Sequence, residues 1–210
     1  MFIPRDPVVQ NQFCKYAAQT STGSAGVGGV VAYAGSVVYL DPAADKQESE
    51  VKKMAHGATE APFGMLMQKV KTGYHQVHPV GFVMPGDQGS SDAIAQPTYN
   101  SSGAITGTKA VPAGVAHLGI WDTVHYTKLM IAGVVQTAMT PGKALYAAAD
   151  EAKLTDSTAN SDGATDTTTG ARVNGVSVQV ATCVKGASVA QVQANINNTI
   201  LYPIRVKLLV

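Results

Sequence analysis

The stretch PGKALYAAADEAK, residues 141–153, decides how this chain is read, because a diverged copy of it, GSVVYLDPAADK, stands at 35–46. Laid over one another, the copies put Gly35 on Gly142, Val37 and Val38 on Ala144 and Leu145, Tyr39 on Tyr146, and Lys46 on Lys153. An apolar run with an internal glycine follows each: APFGMLMQKV (61–70) with Gly64, and ARVNGVSVQVATCV (171–184) with Gly175. The repeated order predicts two related β units, at about 30–86 and 111–210, joined by a long loop or hairpin excursion at 87–110. Two units of this size suggest an internally duplicated barrel or sandwich rather than a solenoid.

Outward from the repeat, the composition agrees with an all-β chain. VVAYAGSVVYL (30–40) is rich in β-branched and aromatic residues, and its glycine permits a bend. Residues 111–136 are the most apolar section and predict central strands around the single tryptophan, Trp121. HPVGFVMPG (78–86) and ILYPIRVKLLV at the end read as further strands. In SVAQVQANINN the apolar Val189, Val192 and Ile196 recur at helical spacing behind Ser188, which predicts one short helix near 188–197. The expected fold is therefore an all-β barrel or sandwich carrying at most that helix. Residues 1–29 show no sustained period and are expected to form an extended N-terminal arm, anchored on a partner by Phe2, Ile3, Phe13 and Tyr16. On this reading, removal of residues 1–20 leaves a folded protein that no longer attaches.

Of the 210 residues, 45% are hydrophobic and only 14% charged, against about 25% charged in an average soluble protein. Such a surface repels itself weakly and suits a component packed against neighbours. The net charge is +1 with no cluster of Lys and Arg, so nucleic acid is not an expected partner. No run reaches membrane-span length, and MFIPRDPVVQNQF lacks the apolar core of a secretory signal. A chain made and kept soluble, with no membrane partner, is the expectation. Cys14 and Cys183 lie far apart without metal or redox spacing and read as small buried hydrophobes rather than a disulfide.

Chemistry-bearing patterns are few. His75 and His78 point to opposite faces of an extended segment, and His56, His117 and His125 have no companion ligand at metal spacing. The stretch 158–169 has Asn160, Asp162 and Gly163 in the manner of a calcium loop, but Thr158 and Thr169 stand where acidic ligands are required. No nucleophile elbow, phosphate loop or paired-carboxylate element is present. Neither an enzyme, nor a metal site, nor a cofactor is expected.

The paired pieces AGSVVYLDPAADK with APFGML, and PGKALYAAADEAKLT with ARVNGVSVQVAT, together with the PIRVKLL ending, resemble tailed-bacteriophage capsid decoration, or head cement, proteins. The resemblance covers roughly 34–70 and 141–184 and rests on turns and strands rather than on chemistry. It implies an all-β barrel, commonly trimeric, fixed to the outer surface of the virion across joints between major capsid protein subunits after synthesis in the host cytoplasm. A phage tail or baseplate structural protein would share the composition, and a carbohydrate-binding β-sandwich is the reading outside assembly.

Overall fold

The most apolar run of the sequence, VPAGVAHLGIWDT, forms one long strand, Val111–Thr123, and the rest of the fold is arranged along it. The structure, a computed structural model, describes residues 2–5, 10–18, 29–42, 50–54, 60–72, 93–148, 151–156, 172–173 and 176–209. Small residues let neighbours approach this strand closely, and its β-branched and aromatic residues fill both cores. In chain order the first strands are β1 (Phe2–Pro4), β2 (Gln10–Tyr16), β3 (Val30–Ala32), β4 (Val37–Leu40), β5 (Glu50–Lys53), β6 (Pro62–Leu66), β7 (Val70–Thr72), β8 (Ala93–Ala95), β9 (Pro97–Tyr99) and β10 (Ile105–Thr108), and the long strand is β11. The fold is all-β.

Along its first half β11 pairs with β2 on one side and β6 on the other. The order β11-β2-β5-β4-β6 then returns to β11, which closes a five-stranded ring. Only β2 and β5 run parallel in it. Closure removes free edges, which an isolated sheet would expose to other chains. Cys14, Tyr16, Val38, Val51, Leu66, Val111, Ala113 and Val115 from the ring form one core with Ala32, Val70, Ala93 and Ala95 from the small sheet β3-β7-β8. At the seam, a Cβ on Gly64 would lie 2.5 Å from Val115 Cγ1 and 2.6 Å from the Ala116 carbonyl oxygen, so only glycine lets β6 meet β11. His117 sits at the β11 register shift, where its Nδ1 donates to the Phe63 carbonyl at 2.7 Å and fastens the same seam.

The second half of β11 belongs to an open sheet. The remaining elements are β12 (Met130–Ile131), β13 (Val134–Val135), β14 (Ala144–Ala147), β15 (Leu154–Thr155), β16 (Arg172–Val173), β17 (Val176–Ser177), β18 (Ala181–Lys185), α1 (Val189–Ile196) and β19 (Ile204–Leu208). Here β11 is flanked by β1 and β19, and the sheet continues β19-β18-β14-β15. Trp121, Tyr126, Met139, Leu145, Leu154, Val192 and Val206 lie in the second core. No helix of the described residues is long and apolar enough to cross a membrane.

One expectation is corrected. Residues 2–4 and 10–16 are not an extended arm but two strands in line along one side of β11. Polar Gln10, Asn11 and Gln12 mask the strand pattern, and the pairing partner lies about a hundred residues away in sequence. Of the two forms expected for 87–110, a long loop or a hairpin excursion, the second is found at β9–β10, with β8 before it; 87–92 lie outside the described residues. The two repeat units share an order: β4 stands between β5 and β6, and β14 between β15 and β18. On the side away from β15, β14 meets β18, where Ala144 and Leu145 pair with Thr182 and Ala181, within the 171–184 run but past Gly175.

Across the open sheet Asp122 receives Arg5 Nε at 2.7 Å from the β1 side and Arg205 Nε at 2.8 Å from β19. Burial pushes its carboxyl up, but the hydrogen bonds and charges of Arg205 and Arg5 outweigh that and hold it below its ordinary value. A carboxyl depressed in the folded state stabilises fully above its unfolded pKa of about 3.9, and that contribution is lost as pH falls through the lowered value. Asp122→Asn is therefore expected to lower the melting temperature at pH 7, with wild type and variant converging from about pH 4 downward. A gap that stays constant to low pH in scanning calorimetry would remove the charge from the explanation.

Candidate contact surface

Two segments of the sequence, 129–142 and 186–204, contain no charged residue. The fold brings them together. Met139 and Ala187 exchange both backbone hydrogen bonds at 2.9 Å, and a Cβ on Gly186 would lie 1.8 Å from the Met139 carbonyl oxygen. Since the obstacle is backbone, Gly186→Ala is expected to cost about 3 kcal/mol, the upper part of the range for overpacked sites; a denaturant midpoint equal to wild type would show that the junction gives way.

From this junction rise the hairpin β12–β13 and the helix α1. Ala132 and Gly133, with φ of 50° and 76°, make the two-residue turn that matches the twist of a hairpin. Helix α1 begins at Ser188, whose hydroxyl accepts from Gln191 N–H while the Gln191 side chain accepts from Ser188 N–H, a reciprocal cap. Gln193 welds the two elements. Its Oε1 accepts from Val135 N–H at 2.7 Å, and its Nε2 donates to the Gly133 carbonyl at 3.2 Å. Past the helix, Thr199 is tied back to the Ala194 carbonyl by both its N–H and its hydroxyl, which fixes the start of the 199–203 segment.

The outward side chains of this assembly are uncharged, and several are large and apolar. Ile131 is 55% exposed, and Val134, Ile200 and Leu201 are each 56% exposed, with Val189 at 39%. Single exposed apolar residues are ordinary. Five of them on connected elements with no charge among them form a surface whose hydration is poor and whose burial is favourable.

The residues expected to touch a partner lie elsewhere. Phe2 is buried, its ring stacked on Trp121 with centroids 4.5 Å apart and planes 2° from parallel. Tyr16 is buried in the ring core, and burial pushes its hydroxyl up to about 12. Both are core residues, which corrects their reading as exposed anchors. Ile3 and Phe13 pair through their backbones with Asp122 and Gly114; their side chains lie outside the described residues. Of the repeat residues, Gly35 turns the chain at φ 94° against His125 and Thr123, and Gly142 turns at φ 83° in open space. Tyr39 and Tyr146 are half-buried in β4 and β14, and Gly64 makes the ring seam. Gly175, His56, His75, His78 and the 158–169 stretch lie outside the described residues.

Among the described residues, the serine–histidine contact that resembles a catalytic pair is a clasp. Ser36 Oγ lies 3.0 Å from His125 Nε2 and donates to the Glu151 carbonyl at 2.9 Å, and Nε2 is 3.1 Å from the same carbonyl. Ser36 has no exposed surface, so its hydroxyl meets no substrate and instead binds the β4 turn to residue 151. Cys14 and Cys183 are free and buried. Burial, with Asp156 adding and Lys128 opposing, pushes the Cys183 thiol up to about 11, far from a reactive thiolate. Among the described residues no three His, Cys, Asp or Glu side chains group as metal ligands. No protein-family model matches the chain, and no curated protein matches it.

The contact surface carried a partial signal in sequence. Absence of charge in 129–142 and 186–204 can be counted, but nothing in either segment says that they pair.

Proposed function

We propose that this chain is a structural virion protein that binds the outer surface of an assembled phage capsid and stabilises it by bridging major capsid protein subunits. The observation that carries the reading is the uncharged surface of β12–β13, α1 and 199–203, with Ile131, Val134, Val189, Ile200 and Leu201 turned outward. The resemblance of the 34–70 and 141–184 segments to capsid decoration proteins agrees with it. A charged partner surface would be desolvated against this face without compensation, so the complementary surface on the shell is apolar or neutral. Gln193 and the Ser188 cap hold the face in one geometry before contact, which lowers the entropy lost on binding.

Stabilisation then follows from linkage. A protein that binds the assembled shell but not its separated subunits favours the shell by about 2.7 kcal/mol per site at a hundred times the dissociation constant. The effect sums over many sites. A homo-oligomer, a trimer first, would join several such faces and gain from their shared attachment. The expected result is that undecorated phage heads, heated while disassembly is followed by light scattering, disassemble at a temperature that rises with added protein and then saturates. An unchanged temperature, with the protein alone assembling into tubes or rings, would replace this reading by a tail or baseplate component.

A further inference from the structure

A cleft of about 350 Å³ opens between the ring and the C-terminal end of α1, with Tyr33 and Lys69 on the ring side, Glu151 and Lys153 along one wall, and Asn195 and Leu201 on the helix side. Three observations set it apart from an accidental gap. The Tyr33 ring is 39% exposed and lies on His125, centroids 5.4 Å apart at 28°, while His125 is clamped by Ser36 and the Glu151 carbonyl. The aromatic platform is thus held in place from below.

Asn195 is 4% exposed, and its Nδ2 donates to the Val124 carbonyl at 2.9 Å. A carbonyl can only accept, so the amide orientation is fixed and Oδ1 is left buried with no hydrogen-bond partner. Leaving such a group unsatisfied costs about 1–3 kcal/mol, and a native fold that retains one has a reason to. The Lys69 ammonium, which lines the cleft, makes no ion pair or hydrogen bond among the described residues, whereas the Glu151 carboxylate is taken by Lys53.

We infer that this cleft binds one carboxylate-bearing pyranose unit, of the uronic acid type. The electron-rich face of Tyr33 receives the C–H face of the sugar ring. A ring hydroxyl supplies the donor that Asn195 Oδ1 lacks, and the carboxylate meets Lys69. The volume is near the small end of ligand sites, about 300–1,000 Å³, which suits one sugar unit rather than a chain of them. A simple anion would use Lys69 but neither Tyr33 nor Asn195. An acidic peptide would use Tyr33 and Lys69 but brings no ring of hydroxyl donors to the Asn195 end.

The test is an amide NMR titration of the full chain with methyl β-D-glucuronide, methyl β-D-glucoside, sodium acetate and an acetylated Asp-Tyr dipeptide amide. The glucuronide is expected to shift the signals of 33–36, 124–126 and 195–198 saturably, and the glucoside to bind roughly tenfold more weakly. Lys69→Gln should bring the glucuronide down to the level of the glucoside, and Tyr33→Ala should weaken both sugars, each variant first shown to keep its cooperative thermal transition. The inference is overturned if the glucuronide causes no saturable shifts, if acetate binds as tightly as the glucuronide, or if the dipeptide binds more tightly than either sugar. None of these outcomes bears on attachment to a shell.

Discussion

A chain lacking residues 1–20 is expected to show no cooperative unfolding transition. The deletion removes β1 and β2, which together line one whole side of β11 from Val111 to Thr123. Without β2 the five-stranded ring is open, and β5 loses the parallel partner that it meets at Lys15 and Tyr16. Phe2, Cys14 and Tyr16 leave the two cores with it. Truncating one large buried side chain costs about 2–5 kcal/mol, and a whole domain is stable by only about 5–15 kcal/mol. Two core aromatics and two strands exceed that margin. Circular dichroism on heating should give a gradual slope in place of a sigmoid; a melt within a few degrees of the full chain would restore the reading of an N-terminal arm.

The second large effect is expected at Trp121. Its side chain is fully buried, its indole N–H donates to the Leu118 carbonyl at 3.1 Å, and its ring is covered by Phe2. Its backbone stands between Pro4 of β1 and Val206 of β19, so the side chain is where the N-terminal strand, the long strand and the C-terminal strand share a core. Trp121→Ala is expected to cost about 3–5 kcal/mol, which for a domain of this size lowers the melting temperature by roughly 10 °C or more. In a double-mutant cycle with Phe2→Ala, a coupling of about 0.5–1.5 kcal/mol should report the stack itself. A shift of only a degree or two for Trp121→Ala would mean that β1 does not close over the ring.

What the sequence made legible was local. The β-branched run around Tyr39 and its diverged copy around Tyr146 gave their strands, and the Ser188 cap with helical spacing gave α1. Even there the spacing misled in part, since Val189 is turned outward and Asn195 takes an inner position. What remained hidden depends on pairings far apart in the chain. The strand at 10–16 is revealed only by β11, because its inward residues Cys14 and Tyr16 are too few to make a period among polar neighbours. Closure of the ring rests on Gly64, whose role is the absence of a side chain opposite Val115 and has no signature in composition. The cleft draws Tyr33, Lys69, Glu151 and Asn195 from four separate segments, none with a motif of its own.

The uncharged face connects these pieces to the proposed role. It is built on the open sheet, held to it by Met139 and Ala187, and shaped by Gln193 into one surface. Its substitution need not disturb the cores, since Ile131 and Val134 flank a surface turn and are both more than half exposed. The most direct measurement is co-sedimentation of the purified chain with undecorated phage heads, wild type beside the double variant Ile131→Asp, Val134→Asp. The account predicts that the wild type pellets with heads to a saturating ratio, while the double variant keeps its melting transition and stays in the supernatant. Wild type that remains in the supernatant, or a double variant that pellets as well as wild type, would contradict it.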